Sequence, residues 1–222
     1  MNIEQARFNM IEQQIRPWDV LDAHVLQLLA VVKREDFVPL AHQALAFVDM
    51  EIPLGSMALG QCMLSPKVEA RMLQDLNVQK HEKVLEIGTG SGFMAALLAH
   101  RAQFVTTLEI DADLAKTASD NLERANVYNA KVVVADGSKE LNGSASGPFD
   151  VIVLSGSVAQ MPTALLQQLK VGGRCMAIVG DEPVMRATLV KRVSDSSFTT
   201  QQSWDTLAPR LSGFAETPRF QF

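Results

Sequence analysis

The sequence predicts an α/β fold: a doubly wound, mostly parallel sheet with an N-terminal helical extension and an antiparallel edge. Three observations predict it. After residue 84, short runs rich in Val, Ile and Leu alternate with helical patterns, as strands buried on both faces do. The first run ends in Gly88-Thr89-Gly90-Ser91-Gly92, which is too rich in glycine to continue either a strand or a helix. The chain has 222 residues, 47% of them hydrophobic, enough for one substantial core. A single domain over 1–222 is therefore expected, with a helical and loop extension over 1–64 and an α/β core over 65–222.

From Asn2 to Ile15, the residues Ile3, Ala6, Met10, Ile11 and Ile15 recur at near-helical intervals, and Pro17 ends the helix. Asp22 suits the N-cap of a second helix, whose Val25, Leu26, Leu28, Leu29 and Val32 make a broad apolar face. Phe37-Val38-Pro39 reads as extended and Leu40 to Phe47 as a short helix. Between Asp49 and Leu64 both periods vanish and Pro53, Gly55 and Gly60 intervene, predicting a structured loop or short strands. Ser65-Pro66 then opens a helix with Val68, Met72, Leu73 and Leu76 as its buried stripe. Strands are expected at Val84 to Ile87, Phe104 to Glu109, Lys131 to Ala135, Asp150 to Leu154 and Arg174 to Val179. Helices are expected between them at Phe93 to Arg101, Asp113 to Ala125 and Pro162 to Leu169. Ala187 to Val193 and Ser203 to Leu207, joined by a polar turn at Ser194 to Ser197, are expected to form the antiparallel edge.

Composition excludes several classes of function. A net charge of −5 without any Lys/Arg block argues against a nucleic-acid partner. Met1 to Arg16 lacks the apolar run of about 7–15 residues that a secretion signal needs, so no membrane partner and a cytoplasmic location are expected. Cys62 and Cys175 stand far apart without His or Cys at ligand spacing, so neither a disulfide nor a metal site is expected. His24, His42, His81 and His100 share no partner. Trp18 and Trp204 are expected to pack, as are Phe214, Phe220 and Phe222 of the tail.

Ligands of open α/β sheets bind beyond the carboxyl ends of the strands, where strand order reverses. Four groups fall at such ends: Glu86 with the Gly88 to Gly92 turn, Glu109, Asp136-Gly137 and Ser155-Gly156. A dinucleotide fingerprint would put its third glycine at 93, where Phe93 stands instead. Glu86 beside the turn would repel a pyrophosphate and favour a cation. S-adenosylmethionine, with an ammonium, a sulfonium and no phosphate, fits that field. Glu109 follows Gly88 at the spacing of a carboxylate that accepts both ribose hydroxyls. Asp136 is placed to accept from an adenine amino group, with Gly137 leaving room for the ring. The expected cofactor contacts are Glu86, Gly88, Thr89, Gly90, Ser91, Gly92, Glu109, Ile110, Asp136 and Gly137.

With these residues in place, the chain resembles the class I S-adenosylmethionine-dependent methyltransferases and, within them, the protein-L-isoaspartate (D-aspartate) O-methyltransferase family. The resemblance covers roughly Lys33 to Gly180. It is carried by Arg34-Glu35-Asp36-Phe37-Val38-Pro39, Ile52-Pro53-Leu54-Gly55, Gly60-Gln61, the glycine turn with its strand, Asp136-Gly137-Ser138 and the run Leu165 to Arg174. It implies a Rossmann-like methyltransferase fold and methyl transfer to the free carboxylate of an isoaspartyl residue in an aged protein or peptide. Such an acceptor, with an ordinary pKa near ~4, needs no general base. The task that remains is orientation and exclusion of water.

One departure matters. Aligned on Gly60-Gln61 and Pro66, the family's Thr and Ser positions hold Cys62 and Leu64. Ser65, one residue later, is open to two readings: it caps the following helix, or it substitutes for the family serine. Leu64 and Ser65 are the candidate catalytic positions on this alignment. Two alternatives to isoaspartyl methylation stand beside it. The first is a divergent relative that uses the same cofactor on another substrate or as a binding protein. The second is a nicotinamide-dependent oxidoreductase, disfavoured by Phe93 and Glu86. The sequence leaves the oligomeric state open.

Overall fold

A computed structural model of the chain describes residues 2–216. Phe220 and Phe222, expected to pack with the tail, lie outside the described residues. Asn2 accepts from Gln5 N and caps α1 (Ile3–Met10); the chain then widens to a π turn over Ile11–Ile15 and tightens to a 3-10 turn over Arg16–Trp18. The single helix expected to Ile15 is thus α-helical only in its first part. Asp22 caps α2 (Ala23–Val31) with bonds from His24 N and Val25 N. Leu40–Leu45 is a 3-10 helix, shorter and tighter than the helix expected there. Two-residue strands β1 (Ile52–Pro53) and β2 (Cys62–Met63) pair antiparallel across the aperiodic stretch. Ser65 and Pro66 open α3 (Pro66–Leu76) as expected.

The core then alternates through β3 (Lys83–Ile87), α4 (Phe93–Arg101), β4 (Phe104–Glu109), α5 (Ala112–Arg124), β5 (Ala130–Val134) and β6 (Phe149–Val158). α6 (Thr163–Leu166), β7 (Leu169–Asp181), β8 (Val184–Arg192) and β9 (Phe198–Thr206) complete it. The seven strands lie in the order β5-β4-β3-β6-β7-β8-β9. β5 to β7 are parallel, and β7-β8-β9 form an antiparallel meander, the expected edge. Strand order reverses between β3 and β6, which opens a crevice above their carboxyl ends.

Side chains alternate between the two faces of the sheet. Val84, Val151, Val153, Met176 and Ile178 join the cluster formed with α2, α3, α4 and the N-terminal turns. Leu85, Ile152, Leu154, Cys175 and Ala177 join the opposite cluster with Leu165 and Leu166 of α6. The helix α4 is buried from Phe93 through Ala99, and its sequence is apolar on nearly every side for that reason. Arg34 is fully buried against it, with its guanidinium 5.0 Å from the Phe93 ring. It donates to the Leu64 carbonyl at 2.8 Å and pairs with Glu69, so the N-terminal extension is fixed to α3 by a buried ion pair, although Arg34 Nε is left without a hydrogen-bond partner.

Several boundaries moved. β7 begins at Leu169 rather than Arg174, which shortens the expected helix Pro162 to Leu169 to a single turn. β6 continues to Val158, so Ser155 and Gly156 lie within the strand instead of after it. The late strands also begin earlier than expected, at Val184 and Phe198. Of the tryptophans, Trp204 packs and donates to Asp75 at 2.8 Å, whereas Trp18 is 45% exposed beneath the Lys67 ammonium. For Trp18 the packing expectation is corrected. Among the described residues, no helix is long and apolar enough to cross a membrane.

Candidate active site

A cavity of about 260 Å³ lies over the switch point. Gly88, Gly90 and Ile87 form one wall, Leu108 to Asp111 a second, and Ala135, Gly137 and Ser155 line the rest. Two segments roof it: Leu59 to Cys62 from the N-terminal extension, and Arg210 to Ser212 with Phe214 from the chain beyond β9. They meet where a Cβ on Gly60 would stand 2.8 Å from the Arg210 carbonyl oxygen.

The glycine turn is shaped by its backbone. Gly88, Gly90 and Gly92 have φ of +89°, +53° and +86°, the left-handed region that side chains resist. Gly88 N and Thr89 N both donate to the Leu108 carbonyl, which ties the turn to β4. At Gly92 a Cβ would also press on the Ala118 carbonyl at 3.2 Å, so this glycine serves the close packing of α4 on α5.

Glu109 is 6% exposed and lines the cavity. Its Oε2 accepts from Gly90 N at 2.9 Å and its Oε1 from Asp111 N at 3.1 Å. Two bonds leave lone pairs for a ligand, and the carboxylate is held in one orientation. Gly88, Gly90, Ile110 and Gly137 of the expected set share the cavity wall with it.

The other expected contacts stand back from the cavity. Thr89 and Ser91 are buried in the turn, and Gly92 opens α4. Asp136 folds onto its own loop, where Oδ1 accepts from Ser138 N at 2.9 Å and from Ser138 Oγ at 2.6 Å. Partial burial opposes its ionisation, but the two bonds from Ser138 hold its carboxyl below the usual range. Glu86 is wholly buried behind the wall and accepts from Thr107 Oγ1 and Ser155 Oγ, both at 2.7 Å. Burial pushes its carboxyl up to about 8; the two hydroxyls work the other way, and Glu69 and Glu109 add to the rise.

The acceptor side departs most from expectation. Leu64 is 5% exposed in the apolar core, and its side chain does not line the cavity. Ser65 occupies the N-cap position of α3, yet its hydroxyl makes no capping bond; only its carbonyl accepts, from Val68 N and Glu69 N. The reading of Ser65 as a side-chain cap is corrected. Ser65 instead lines a separate groove with Trp18, Glu51, Met57 and Lys67. Of residues 62 to 65, Cys62 alone lines the cavity, and burial, with Glu51 and Glu69 nearby, pushes its thiol up to about 12.

Sequence reading singled out Gly60-Gln61 and, by the family resemblance, Leu207 to Leu211 as a late substrate-side segment, but it missed the contacts that close the two over the cavity. Gln61 Nε2 donates to Asp111 Oδ2 at 3.0 Å, fastening the N-terminal segment to the start of α5. Leu211 lies over the turn, where a Cβ on Gly88 would meet its Cδ2 at 2.8 Å. Arg210 is paired with Asp181 at 2.5 Å, and it is the only Lys or Arg on the wall among the described residues. A phosphate ligand would find no free cation there, whereas Glu109 and Asp111 on the wall and Glu86 behind it suit a cationic ligand. The residues fit S-adenosylmethionine: glycines leave the turn open and Glu109 presents acceptors at the second strand end. Among the described residues, no group of three or more His, Cys, Asp or Glu is placed to hold a metal ion.

Comparison with known proteins bears on the same features. A family model described as Protein-L-isoaspartate(D-aspartate) O-methyltransferase (PCMT) matches residues 5–207, well beyond the stretch from Lys33 to Gly180. A protein-L-isoaspartate O-methyltransferase of Koribacter versatilis is 39% identical over 84% of this chain and 81% of its own length. Another from Methanoculleus marisnigri is 40% identical over 79% of this chain and 78% of its own. In fold, the chain is similar to a Plasmodium falciparum structure described as a protein-L-isoaspartate O-methyltransferase in complex with S-adenosyl-L-homocysteine. That likeness has a TM-score of 0.79 at 16% identity and covers 96% of this chain and 99% of the other. On the breadth of the family match and the identity to these relatives, the chain belongs to the protein-L-isoaspartate (D-aspartate) O-methyltransferase family.

Proposed function

We propose that this protein is an S-adenosylmethionine-dependent O-methyltransferase that methylates the free carboxylate of isoaspartyl residues in proteins or peptides. The observation that carries the cofactor half is Glu109, fixed by Gly90 N and Asp111 N and facing the cavity beside an open glycine turn. The cofactor, when bound, supplies a methyl group already activated by its sulfonium. The residues named here then have three tasks. Glu109 and the turn at 88–92 hold the ligand; the segments at 59–62 and 210–214 exclude water; together they orient the acceptor carboxylate. No base is required of them, because the acceptor is ionised at neutral pH.

A specific observation favours a second reading. Neither position 62 nor position 64 offers a hydroxyl to the cavity: Leu64 is buried in the core, and Ser65 opens elsewhere. A hydroxyl bond to a carboxylate contributes about 1.5–3 kcal/mol. On this reading the same cofactor serves another acceptor, or the protein only binds it. Transfer of radiolabelled methyl groups to isoaspartyl and aspartyl versions of one peptide separates the two. Label on the isoaspartyl peptide alone supports the first reading. No label on either, with cofactor binding intact by calorimetry, overturns it in favour of the second.

A further inference from the structure

Four polar side chains form a line beneath the cavity. Thr89 of the turn lies 2.6 Å from Thr107, oxygen to oxygen. Thr107 Oγ1 donates to Glu86 Oε2, and Ser155 Oγ donates to Glu86 Oε1, each at 2.7 Å. With Glu86 ionised, Thr107 spends its one proton on the carboxylate, and Thr89 is then the donor to Thr107. Glu86, Thr107 and Thr89 are buried, and Ser155 is the member that borders the cavity.

The protonation of Glu86 decides what Ser155 offers. With Glu86 ionised, the Ser155 hydroxyl proton is committed inward and only lone pairs remain for a ligand. With Glu86 protonated, the carboxyl's own proton can bond to Ser155 Oγ, and the hydroxyl proton is free to turn outward. An ammonium is favoured by the first arrangement, in which Ser155 turns only lone pairs to the cavity and a negative charge stands behind it. The charged groups facing Glu86 are Glu69 from α3 and Glu109 from the end of β4, both acidic, while its hydroxyl partners come from β4 and β6. Desolvation is the larger influence and favours the neutral carboxyl, so near neutral pH Glu86 holds a proton in the free protein.

We propose that Ser155 accepts a hydrogen bond from the cofactor's ammonium and that Glu86, as a positioning residue behind it, releases its proton to solvent when the ligand binds. The inference rests on the cofactor reading above. The carboxyl O–H bond breaks, the proton passes to buffer, and the Ser155 hydroxyl turns to donate to the new carboxylate. Binding is thereby linked to pH: affinity weakens by up to about tenfold for each pH unit below the free carboxyl's midpoint.

Calorimetric titration with S-adenosyl-L-homocysteine at pH 7, in buffers of different ionisation enthalpy, tests this. Close to one proton released per ligand is expected. 5′-Methylthioadenosine, which keeps the nucleoside and thioether but carries no ammonium, is expected to bind without release. Glu86→Gln and Ser155→Ala are each expected to abolish the release, and the wild-type comparison of the two ligands stands even if a variant does not fold. Proton-neutral binding of S-adenosyl-L-homocysteine by the wild type would overturn the proposal. Equal release from both ligands, or undiminished release from Glu86→Gln, would do the same. Failure to bind either ligand would overturn the cofactor reading itself, and the proposal with it.

Discussion

Glu109 Oε2 lies 2.9 Å from Gly90 N, so the carboxylate at the end of β4 fastens the glycine turn at the end of β3. One side chain thus shapes the cradle and also faces into it. Replacing it removes a turn constraint and, on the proposed cofactor reading, a ligand contact as well. Glu109→Ala is expected to weaken binding of S-adenosyl-L-homocysteine roughly ten- to a hundredfold, the worth of one or two hydrogen bonds to a charged group. Calorimetry checks this, and unchanged affinity would remove Glu109 from the site.

Gly92 stands at φ +86° with its missing Cβ directed at the Ala118 carbonyl. Gly92→Ala is expected to destabilise the fold by roughly 1–2 kcal/mol from conformation alone, with more from the displaced α4–α5 contact. A lowered urea midpoint with an unchanged slope is the expected result.

Glu86 also predicts how stability depends on pH. Its folded pKa, about 8, lies above its ordinary value of 4.5, so the folded state binds the extra proton between those limits. Stability from this group is fully present below about pH 4.5 and is lost as pH rises through 8. Asp150 works in the opposite sense, because bonds from Lys170 and Lys83 N outweigh its desolvation and hold its carboxyl low; its contribution is lost in acid. In the free protein, melting temperature is expected to fall from pH 6 to pH 9. Glu86→Gln should flatten that slope, and an unchanged slope in the variant would place the titration elsewhere.

Leu64, which the spacing from Gly60-Gln61 to Pro66 matches with the family's serine, has its side chain in the core. Leu64→Ser is expected to cost roughly 2–4 kcal/mol of stability through lost packing and a buried hydroxyl. It is expected to bring no gain in kcat/KM on an isoaspartyl peptide. A clear gain would mean that a small side chain at 64 reaches the acceptor.

The sequence made the sheet legible wherever a strand ended in a chemical signal. Gly88 to Gly92 and Glu109 fall where alternation and spacing put them, because a turn that needs positive φ leaves glycines behind. Asp22 as a cap and Pro66 as a first helical residue were equally readable. Local pattern could not show that β6 runs through Ser155 and Gly156, since two small polar residues look like a loop until a neighbouring segment covers them. That segment is Pro209 to Leu211: the Pro209 carbonyl accepts from Ser157 N, and Leu211 N donates to the Ser157 carbonyl. Contacts between residues so far apart in the chain carry no periodic signature. The same holds for Gln61 on Asp111, and for Glu86, whose place behind the cavity wall follows from packing rather than from its position before the turn.

The claim on which the rest depends is that S-adenosylmethionine binds over the switch point. A crystal structure of the protein grown with S-adenosyl-L-homocysteine tests it most directly. The expected result is the ligand inside the cavity, with its ribose hydroxyls on the Glu109 carboxylate and its ammonium against Ser155. A ligand seated elsewhere, or one in the cavity that leaves Glu109 without a contact, would contradict the account.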